Sequence, residues 1–187
     1  GVTDVPRVKS DSNQEHDFKI KKVAEEGTQN ILDSISNKCK IIMPSSHVVY
    51  EGIEKVKNDI GENEKTSPVL SYGKSKDFNE KQLKNSGKNY IILRLGSVYG
   101  YSTDTARIDI MANFFSKMAS QDGTLRLFAG GKQVKSLVPL IAVARCFKFV
   151  EERENWFSDI YNLNKATDTV KESAEIGKKH KRKVTIR

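Results

Sequence analysis

The chain has 187 residues, 37% of them hydrophobic and 30% charged, with a formal net charge of +8 at pH 7. That length suits one well-cored domain, or one domain with a small lobe. No apolar run is long enough to cross a bilayer and no signal-peptide pattern opens the chain, so we expect no membrane partner and a cytoplasmic location.

The charge and the cysteines argue against two kinds of site. Part of the positive charge is one basic run at residues 178–183, and no aromatic residue interleaves with it to stack bases. We therefore disfavour a nucleic-acid partner, whereas a basic balance suits a pocket for an anionic nucleotide diphosphate. Cys39 and Cys146 lack metal-ligand spacing, so we predict reduced thiols in or near the core and no metal site.

The first 12 residues have no periodicity and indicate a loop, after which residues 18–37 repeat apolar side chains at helical spacing. Gly27 within this helix costs about 1 kcal/mol relative to alanine, so it predicts a close approach to another element. The predicted packing face consists of Ile20, Val23, Gly27, Ile31, Leu32 and Ile35.

A buried strand is predicted next. Residues 41–43 are an apolar run that stops at Pro44-Ser45-Ser46, and the apolar pattern resumes at residues 48–50. Strand alternation would turn His47 to the face opposite Ser46, which favours a packing or surface role for His47. We assign no chemistry to the polar loop that follows, residues 51–68.

The segment after that loop, residues 71–87, has the length and polarity of a helix. Tyr72 and Lys76 are four residues apart and therefore lie on one helical face. A phenol has a pKa near about 10, and an ammonium held beside it favours the phenolate, which makes Tyr72 a candidate base. The hydroxyl of Ser46, at the end of the preceding strand, would hydrogen-bond the oxygen whose proton the tyrosinate takes.

Residues 90–95 form a nearly unbroken apolar run, typical of a central parallel strand buried on both faces. Residues 96–100 then leave the sheet at its carboxyl end, where open α/β sheets bind ligands. Tyr161 and Lys165 repeat the Tyr-x-x-x-Lys spacing, but Tyr161 alternates with its neighbours as in a strand, so we assign no chemistry to that pair. Further predictions are a helix at 106–120, a strand at 125–128, a turn at 130–133, a strand at 159–163, a helix from the capping box Thr169-Val170-Lys171-Glu172 to about 180, and a strand at 183–187.

Three motifs in this order resemble those of the extended short-chain dehydrogenase/reductases, specifically the nucleotide-sugar epimerases and dehydratases. They are Pro44-Ser45-Ser46-His47-Val48-Val49-Tyr50, Ser71-Tyr72-Gly73-Lys74-Ser75-Lys76 and Arg94-Leu95-Gly96-Ser97-Val98-Tyr99-Gly100. The resemblance implies an α/β fold, a Rossmann-like parallel sheet with flanking helices. It implies a cofactor domain at 1–101 and a substrate lobe at 102–187, from which 137–165 returns to the sheet.

The resemblance also implies the site. Tyr72, Lys76 and Ser46 would be catalytic, and NAD or NADP would be the cofactor. A nucleotide sugar would be the substrate, and a homodimer would form through helices that flank the sheet. The cofactor would contact Tyr72, Lys76, Ser45, Leu95 and Gly96, and the substrate would contact Ser46, Ser97 and Lys135.

The chain also departs from the family. The glycine-rich strand-turn-helix that binds the dinucleotide pyrophosphate is absent, so we expect the amino-terminal βαβ units to be lost, cleaved or on another polypeptide. Ala24, Ser97 and Ala142 replace polar residues that the family often carries. These departures keep a second hypothesis open, a catalytically silent binding or regulatory module. A third, a basic nucleic-acid binder, would require salt-sensitive binding through residues 178–183.

Overall fold

The computed structural model describes residues 14–55, 57, 59–103, 107–154, 158–180 and 185–186. The predicted loop at 1–12 lies outside them, as do residues 183, 184 and 187 of the predicted last strand. Within the described ranges there are five α-helices and eight strands. In chain order they are α1 (Gln14–Ser34), β1 (Lys40–Ser46), α2 (Ser71–Asn85), β2 (Asn89–Leu95), β3 (Ser97–Tyr99), α3 (Met111–Ser120), β4 (Thr124–Leu125), β5 (Val134–Pro139), α4 (Leu140–Glu151), β6 (Asp159–Leu163), β7 (Ala166–Thr169), α5 (Val170–His180) and β8 (Thr185–Ile186).

The chain divides into two compact units. The first comprises Gly1–Arg94 with Lys148–Asn162, and the second Leu95–Phe147 with Leu163–Arg187. A three-stranded sheet in the order β1-β2-β6 gives the first unit its framework. The predicted α/β class, with a parallel sheet and flanking helices, is confirmed.

The core of the first unit forms where α1 and α2 cover this sheet. One buried apolar side chain comes from each of four elements, namely Leu32 of α1, Leu83 of α2, Ile92 of β2 and Ile160 of β6. The two helices are also tied by polar groups, since the side-chain amides of Asn79 and Gln82 donate to backbone carbonyls of α1 at 3.0 and 3.1 Å. This packing holds α2 against the sheet whose strand β1 carries Ser45 and Ser46.

The packing face predicted for α1 is partly wrong. Ile20 and Leu32 are buried, but 44% of Val23 and 60% of Ile31 are exposed. The close approach predicted at Gly27 is also wrong, because a Cβ there would have nothing within 4 Å. The apolar stripe is wider than the face that α1 presents to its neighbours, so part of it remains uncovered.

The segment after β1 differs from the prediction as well. β1 runs through Pro44 to Ser46, and residues His47–Tyr50 form a 3-10 helix, not a resumed strand. The alternation argument for His47 therefore does not apply. Cys39 is exposed, which contradicts its predicted near-core position, and Cys146 is half-buried; both thiols are free.

The second unit contains a sheet that the sequence did not predict, in the order β3-β5-β7. β3 pairs parallel with β5, and β5 pairs antiparallel with β7. Its apolar core joins Phe115, Ala119, Leu125 and Ala174. α3 begins at Met111, later than predicted, and residues Phe128–Gly131 form a 3-10 helix after the two-residue β4.

The capping box at the start of α5 is confirmed. The backbone N–H of Thr169 donates to the Glu172 carboxylate at 2.7 Å, and the N–H of Glu172 donates to the Thr169 hydroxyl at 3.1 Å. These reciprocal bonds satisfy helix N–H groups that would otherwise lack partners. The bond from the Thr169 N–H, together with one from the Thr169 hydroxyl at 2.7 Å, also holds the pKa of Glu172 below its usual range.

Candidate active site

Tyr72 and Lys76 occupy the first turns of α2, and both side chains are half-buried. They lie four residues apart on one face of the helix, as predicted. The Lys76 ammonium lies 5.6 Å from the centroid of the Tyr72 ring. The helix therefore presents a phenol and an amine side by side.

Strand β1 also contacts the Lys76 amine. Lys76 Nζ donates to the carbonyl oxygen of Pro44 at 2.8 Å. Burial lowers the pKa of Lys76 from 10.5, and the negative charge of Glu80, one turn further along α2, offsets part of that effect. The amine is thus fixed in place and partly desolvated.

The two serines after Pro44 face different surroundings. Ser45 is buried, and its Oγ donates to Glu80 Oε1 at 2.5 Å. Ser46 is half-buried at the end of β1, and its Oγ accepts a long hydrogen bond of 3.5 Å from the N–H of Val48. Ser46 thereby caps the 3-10 helix, and its side chain is not committed to the ion-pair network that holds Ser45.

The first turn of α2 comes close to this 3-10 helix. A Cβ on Gly73 would lie 3.1 Å from the carbonyl oxygen of Val48 and 3.2 Å from the Cβ of Pro68. Glycine is therefore needed next to Tyr72 for the two segments to approach. Together with the Lys76–Pro44 and Ser45–Glu80 bonds, this contact brings the segment that carries Ser46 against the helix that carries Tyr72 and Lys76.

A buried ion pair beside this site was not predicted. Arg94 Nη2 and Glu80 Oε2 are 2.6 Å apart, and their side chains are 3% and 2% exposed. Burial opposes the charged form of Arg94, but its bonds to Glu80 and Tyr50 outweigh this and raise its pKa. A local signal marks each residue without identifying its partner: Arg94 interrupts an apolar strand, and Glu80 follows Lys76 at one helical turn.

The predicted residues of the Leu95-Gly96 segment lie in the second unit. Leu95 is half-buried at the end of β2, and Gly96 is buried. The N–H of Gly96 donates to the carbonyl of Leu163 at 2.9 Å. A Cβ on Gly96 would meet the carbonyl oxygen of Ser136 at 3.0 Å, so this close approach requires glycine.

The predicted substrate residues Ser97 and Lys135 also belong to the second unit. Ser97 is half-buried in β3, opposite Leu137 of β5. Lys135 is exposed in β5, opposite Asp168 of β7. The substrate contacts assigned to Ser97 and Lys135 stay predictions.

Among the described residues, no group of three or more His, Cys, Asp or Glu is placed to hold a metal ion. Helices in these same ranges are all too short or too polar to cross a membrane.

Comparison with known proteins gives a family and a fold. A family model described as the RmlD substrate binding domain matches residues 7–170. UDP-glucuronic acid 4-epimerase from Bacillus cereus, solved with UDP-glucuronic acid and NAD, is similar at 21% identity and a TM-score of 0.79, over 97% of this chain and 59% of that one. UDP-glucose 4-epimerase from Thermotoga maritima, solved with UDP-glucose, is similar at 18% identity and a TM-score of 0.75, over 92% and 59% of the two chains.

No curated protein matches the chain. The chain spans 59% of the length of each of the two solved structures. At identities of 21% and 18%, the similarity establishes a shared fold. The Rossmann-like architecture predicted from the motifs is confirmed by both. The chain belongs to the RmlD substrate-binding-domain family, and its resemblance to the extended short-chain dehydrogenase/reductases is confirmed.

Proposed function

We propose that this chain carries the proton-transfer site of an NAD(P)-dependent epimerase or dehydratase that acts on a nucleotide sugar through a 4-keto intermediate. The observation that carries the proposal is the Lys76 amine, held between the Tyr72 ring and the Pro44 carbonyl two residues before Ser46. The similar epimerases support the same chemistry, because both were solved with a UDP-sugar and the Bacillus cereus enzyme also with NAD.

The residues fit the reacting half of a nicotinamide cofactor. Lys76 has N–H donors for ribose hydroxyls, and it lies on the same helical face as Tyr72. The Ser45 hydroxyl is bonded to Glu80, so a cofactor contact at Ser45 would use the backbone. The predicted cofactor contacts at Leu95 and Gly96 would also use the backbone. When bound, the nicotinamide would accept a hydride from the sugar carbon.

The chain's own residues would move the proton. Tyr72, as phenolate, takes the proton from the sugar C4 hydroxyl while the C4 hydride leaves, so that a carbonyl forms. The Lys76 ammonium favours the phenolate, and the Ser46 hydroxyl donates a hydrogen bond to the reacting oxygen. If a hydride returned to the opposite face of C4, Tyr72 would give the proton back to the C4 oxygen and the epimer would form.

The proposed substrate contacts are Lys135 and Ser97 of the second unit. Lys135 is exposed, and its ammonium would pair with the diphosphate of the nucleotide sugar. Ser97 would hydrogen-bond the sugar. The division into a cofactor part at 1–101 and a substrate part at 102–187 belongs to this proposal.

The partner and location remain part of the same proposal. Exposed apolar side chains on α1 and α2, namely Val23, Ile31 and Phe78, support a homodimer in which these helices are covered. Cytoplasmic localisation stays a prediction from the sequence.

The experiment that tests the function is a calorimetric titration of the purified chain with NAD(H) and NADP(H). Saturable binding that Lys76→Met weakens and Lys74→Met leaves unchanged would support the enzyme, because Lys74 is an exposed lysine of the same helix. Absence of binding would support the silent module. With UDP-sugar turnover as the readout, Tyr72→Phe should lower the rate by about two to four orders of magnitude and leave folding intact.

A further inference from the structure

Three residues of α2 recur at one-turn intervals on a single face: Tyr72, Lys76 and Glu80. The proposed chemistry uses the first two, whereas Glu80 is paired with Arg94 of β2 in a place that excludes solvent. Well-packed apolar side chains would stabilise the fold as well as such a pair does. Stability alone therefore does not account for a charged Glu80.

The carboxylate of Glu80 is bonded on two sides. Arg94 Nε donates to Oε1 at 3.0 Å and to Oε2 at 3.2 Å, while Arg94 Nη2 donates to Oε2 at 2.6 Å. Ser45 Oγ donates to Oε1 from β1. Bidentate bonds from a guanidinium fix the plane of a carboxylate, so Glu80 holds Ser45 in one position.

Ser45 lies between the two groups of β1 that the proposed reaction uses. The Pro44 carbonyl accepts the hydrogen bond from Lys76, and Ser46 carries the candidate hydroxyl. Adjacent residues of a strand do not move independently. The Ser45–Glu80 bond thereby sets the position of both groups relative to α2.

Arg94 is itself held on its other side by the loop at residues 60–62. Arg94 Nη1 donates to the carbonyl of Glu62 at 3.2 Å and also to the hydroxyl of Tyr50. The carbonyls of the two preceding residues also accept hydrogen bonds. Asn162 Nδ2 donates to the Ile60 carbonyl at 2.7 Å, and the Tyr50 hydroxyl donates to the Gly61 carbonyl at 3.4 Å. Arg94 is therefore anchored and can fix Glu80 in turn.

Glu80 also acts on Lys76 through its charge. The groups next to the Lys76 amine are Tyr72 and Glu80 on its own helix and the Pro44 carbonyl on β1, and His47 begins the adjoining 3-10 helix. Burial lowers the pKa of Lys76, and the Glu80 carboxylate offsets part of this. The carboxylate thus supports the charged amine that the proposed mechanism requires.

We infer that Glu80, held by Arg94, is a positioning residue that places the Lys76 ammonium and residues 44–46 of β1 for proton transfer. The placement is a property of the chain itself, and its use in proton transfer rests on the proposed function. Glu80 touches neither substrate nor cofactor in this role and acts through Lys76 and Ser45.

The first test is Glu80→Gln, which keeps the side-chain shape and removes the charge. We expect the pKa of Lys76 to fall below its wild-type value, as followed by NMR titration of ¹³C-methylated lysines, with Lys76→Met identifying the signal. Asp77→Asn is the matched control, because Asp77 is bonded to Thr66 and Lys81 instead. Equal Lys76 titration in wild type and Glu80→Gln, or an equal shift in Asp77→Asn, would overturn the inference.

A second test covers a failure of Glu80→Gln to fold, since that variant leaves Arg94 buried without its charge partner. Ser45→Ala keeps the ion pair and removes only the tie to β1. We expect faster amide hydrogen exchange at Ser46 and Val48 and unchanged exchange at Leu32 of α1. Unchanged exchange at all these amides would overturn the positioning role.

Both tests use the chain without NAD or nucleotide sugar. Failure to bind NAD(H) would overturn the proposed function, but it would not affect the results of the Lys76 titration or of the amide hydrogen exchange. Unchanged readouts in a chain that binds NAD(H) would overturn the positioning role alone.

Discussion

The Nζ atom of Lys76 donates a hydrogen bond of 2.8 Å to the carbonyl oxygen of Pro44, which joins α2 to the end of β1. The bond holds the amine next to the Tyr72 ring and two residues from Ser46. It also explains why a lysine is tolerated in a partly desolvated place, because a charged donor that loses water needs an acceptor in return. The same bond makes the stability of the chain sensitive to the charge of Lys76.

Replacing Lys76 with methionine should raise stability at neutral pH. Burial lowers the pKa of Lys76 from 10.5, so the folded state binds this proton less tightly than the unfolded state does. The charged amine therefore opposes folding below its folded pKa. As pH rises through that value toward 10.5, wild type loses the penalty and the difference between the two proteins shrinks.

Urea unfolding at pH 7 and at about pH 10 measures this effect. Lys74→Met, at an exposed position of the same helix, should have the wild-type midpoint at both values. The prediction would be contradicted if Lys76→Met were less stable than wild type at pH 7. It would also be contradicted if the difference in stability between the two proteins did not change with pH.

Replacing Asp77 with asparagine should have the opposite dependence on pH. Burial raises the pKa of Asp77, but hydrogen bonds from Lys81 and Thr66, each 2.6 Å long, outweigh it and hold the pKa below 3.8. The stabilisation is thus present above pH 3.8 and is lost as pH falls through the folded pKa. We expect Asp77→Asn to lose about 1–2 kcal/mol of unfolding free energy at pH 7.

The difference in unfolding free energy between wild type and Asp77→Asn should become smaller in urea titrations performed below about pH 4. Asp33→Asn is a suitable control, because Asp33 is exposed on α1 and accepts one bond from Gln29, which asparagine can also accept. Its effect should stay within about 0.5 kcal/mol. A pH-independent loss in Asp77→Asn would show that the carboxylate charge is not what stabilises this position.

The elements that the sequence predicted well carry local signals. The Tyr72–Lys76 pair follows from spacing on one helix, and the Thr169–Glu172 capping box joins residues three apart. Both depend on contacts within one or two turns of chain. Such patterns fix the local geometry whatever the rest of the fold does.

The elements that it missed depend on contacts between distant segments. Glu80 and Arg94 meet because α2 covers β2, and neither residue's neighbours reveal the other. The strands β3 and β7 are short and half-buried, and in β5 the two buried residues, Leu137 and Val138, are adjacent, so the apolar alternation of all three strands is weak. The exposed Val23 and Ile31 show the reverse error, because helical spacing indicates an apolar face without showing what covers it.

The two cysteines should differ in their rates of alkylation. Cys39 is exposed, whereas Cys146 is half-buried and burial raises its pKa from 9.0. A higher pKa means less thiolate, which is the reactive form. We expect iodoacetamide at pH 8 to modify Cys39 at least about tenfold faster, as followed by mass spectrometry of the tryptic peptides. In denaturing urea the two rates should converge, and similar rates in the native protein would contradict the exposure difference.

Two helical glycines should respond in opposite directions to substitution by alanine. At Gly73 the new Cβ would lie 3.1 Å from the Val48 carbonyl oxygen and 3.2 Å from the Pro68 Cβ, so the 3-10 helix must move away from α2. We expect a loss of about 1–3 kcal/mol and weaker NAD(H) binding, since the Ser46 segment moves with it. At Gly27, in the interior of α1, nothing lies within 4 Å of the Cβ, so alanine should add about 0.5–1 kcal/mol by reducing the freedom of the unfolded chain. Urea unfolding of both variants measures whether each substitution raises or lowers the unfolding free energy. A change in the same direction in both would refute the close approach of α2 to the segment after Ser46.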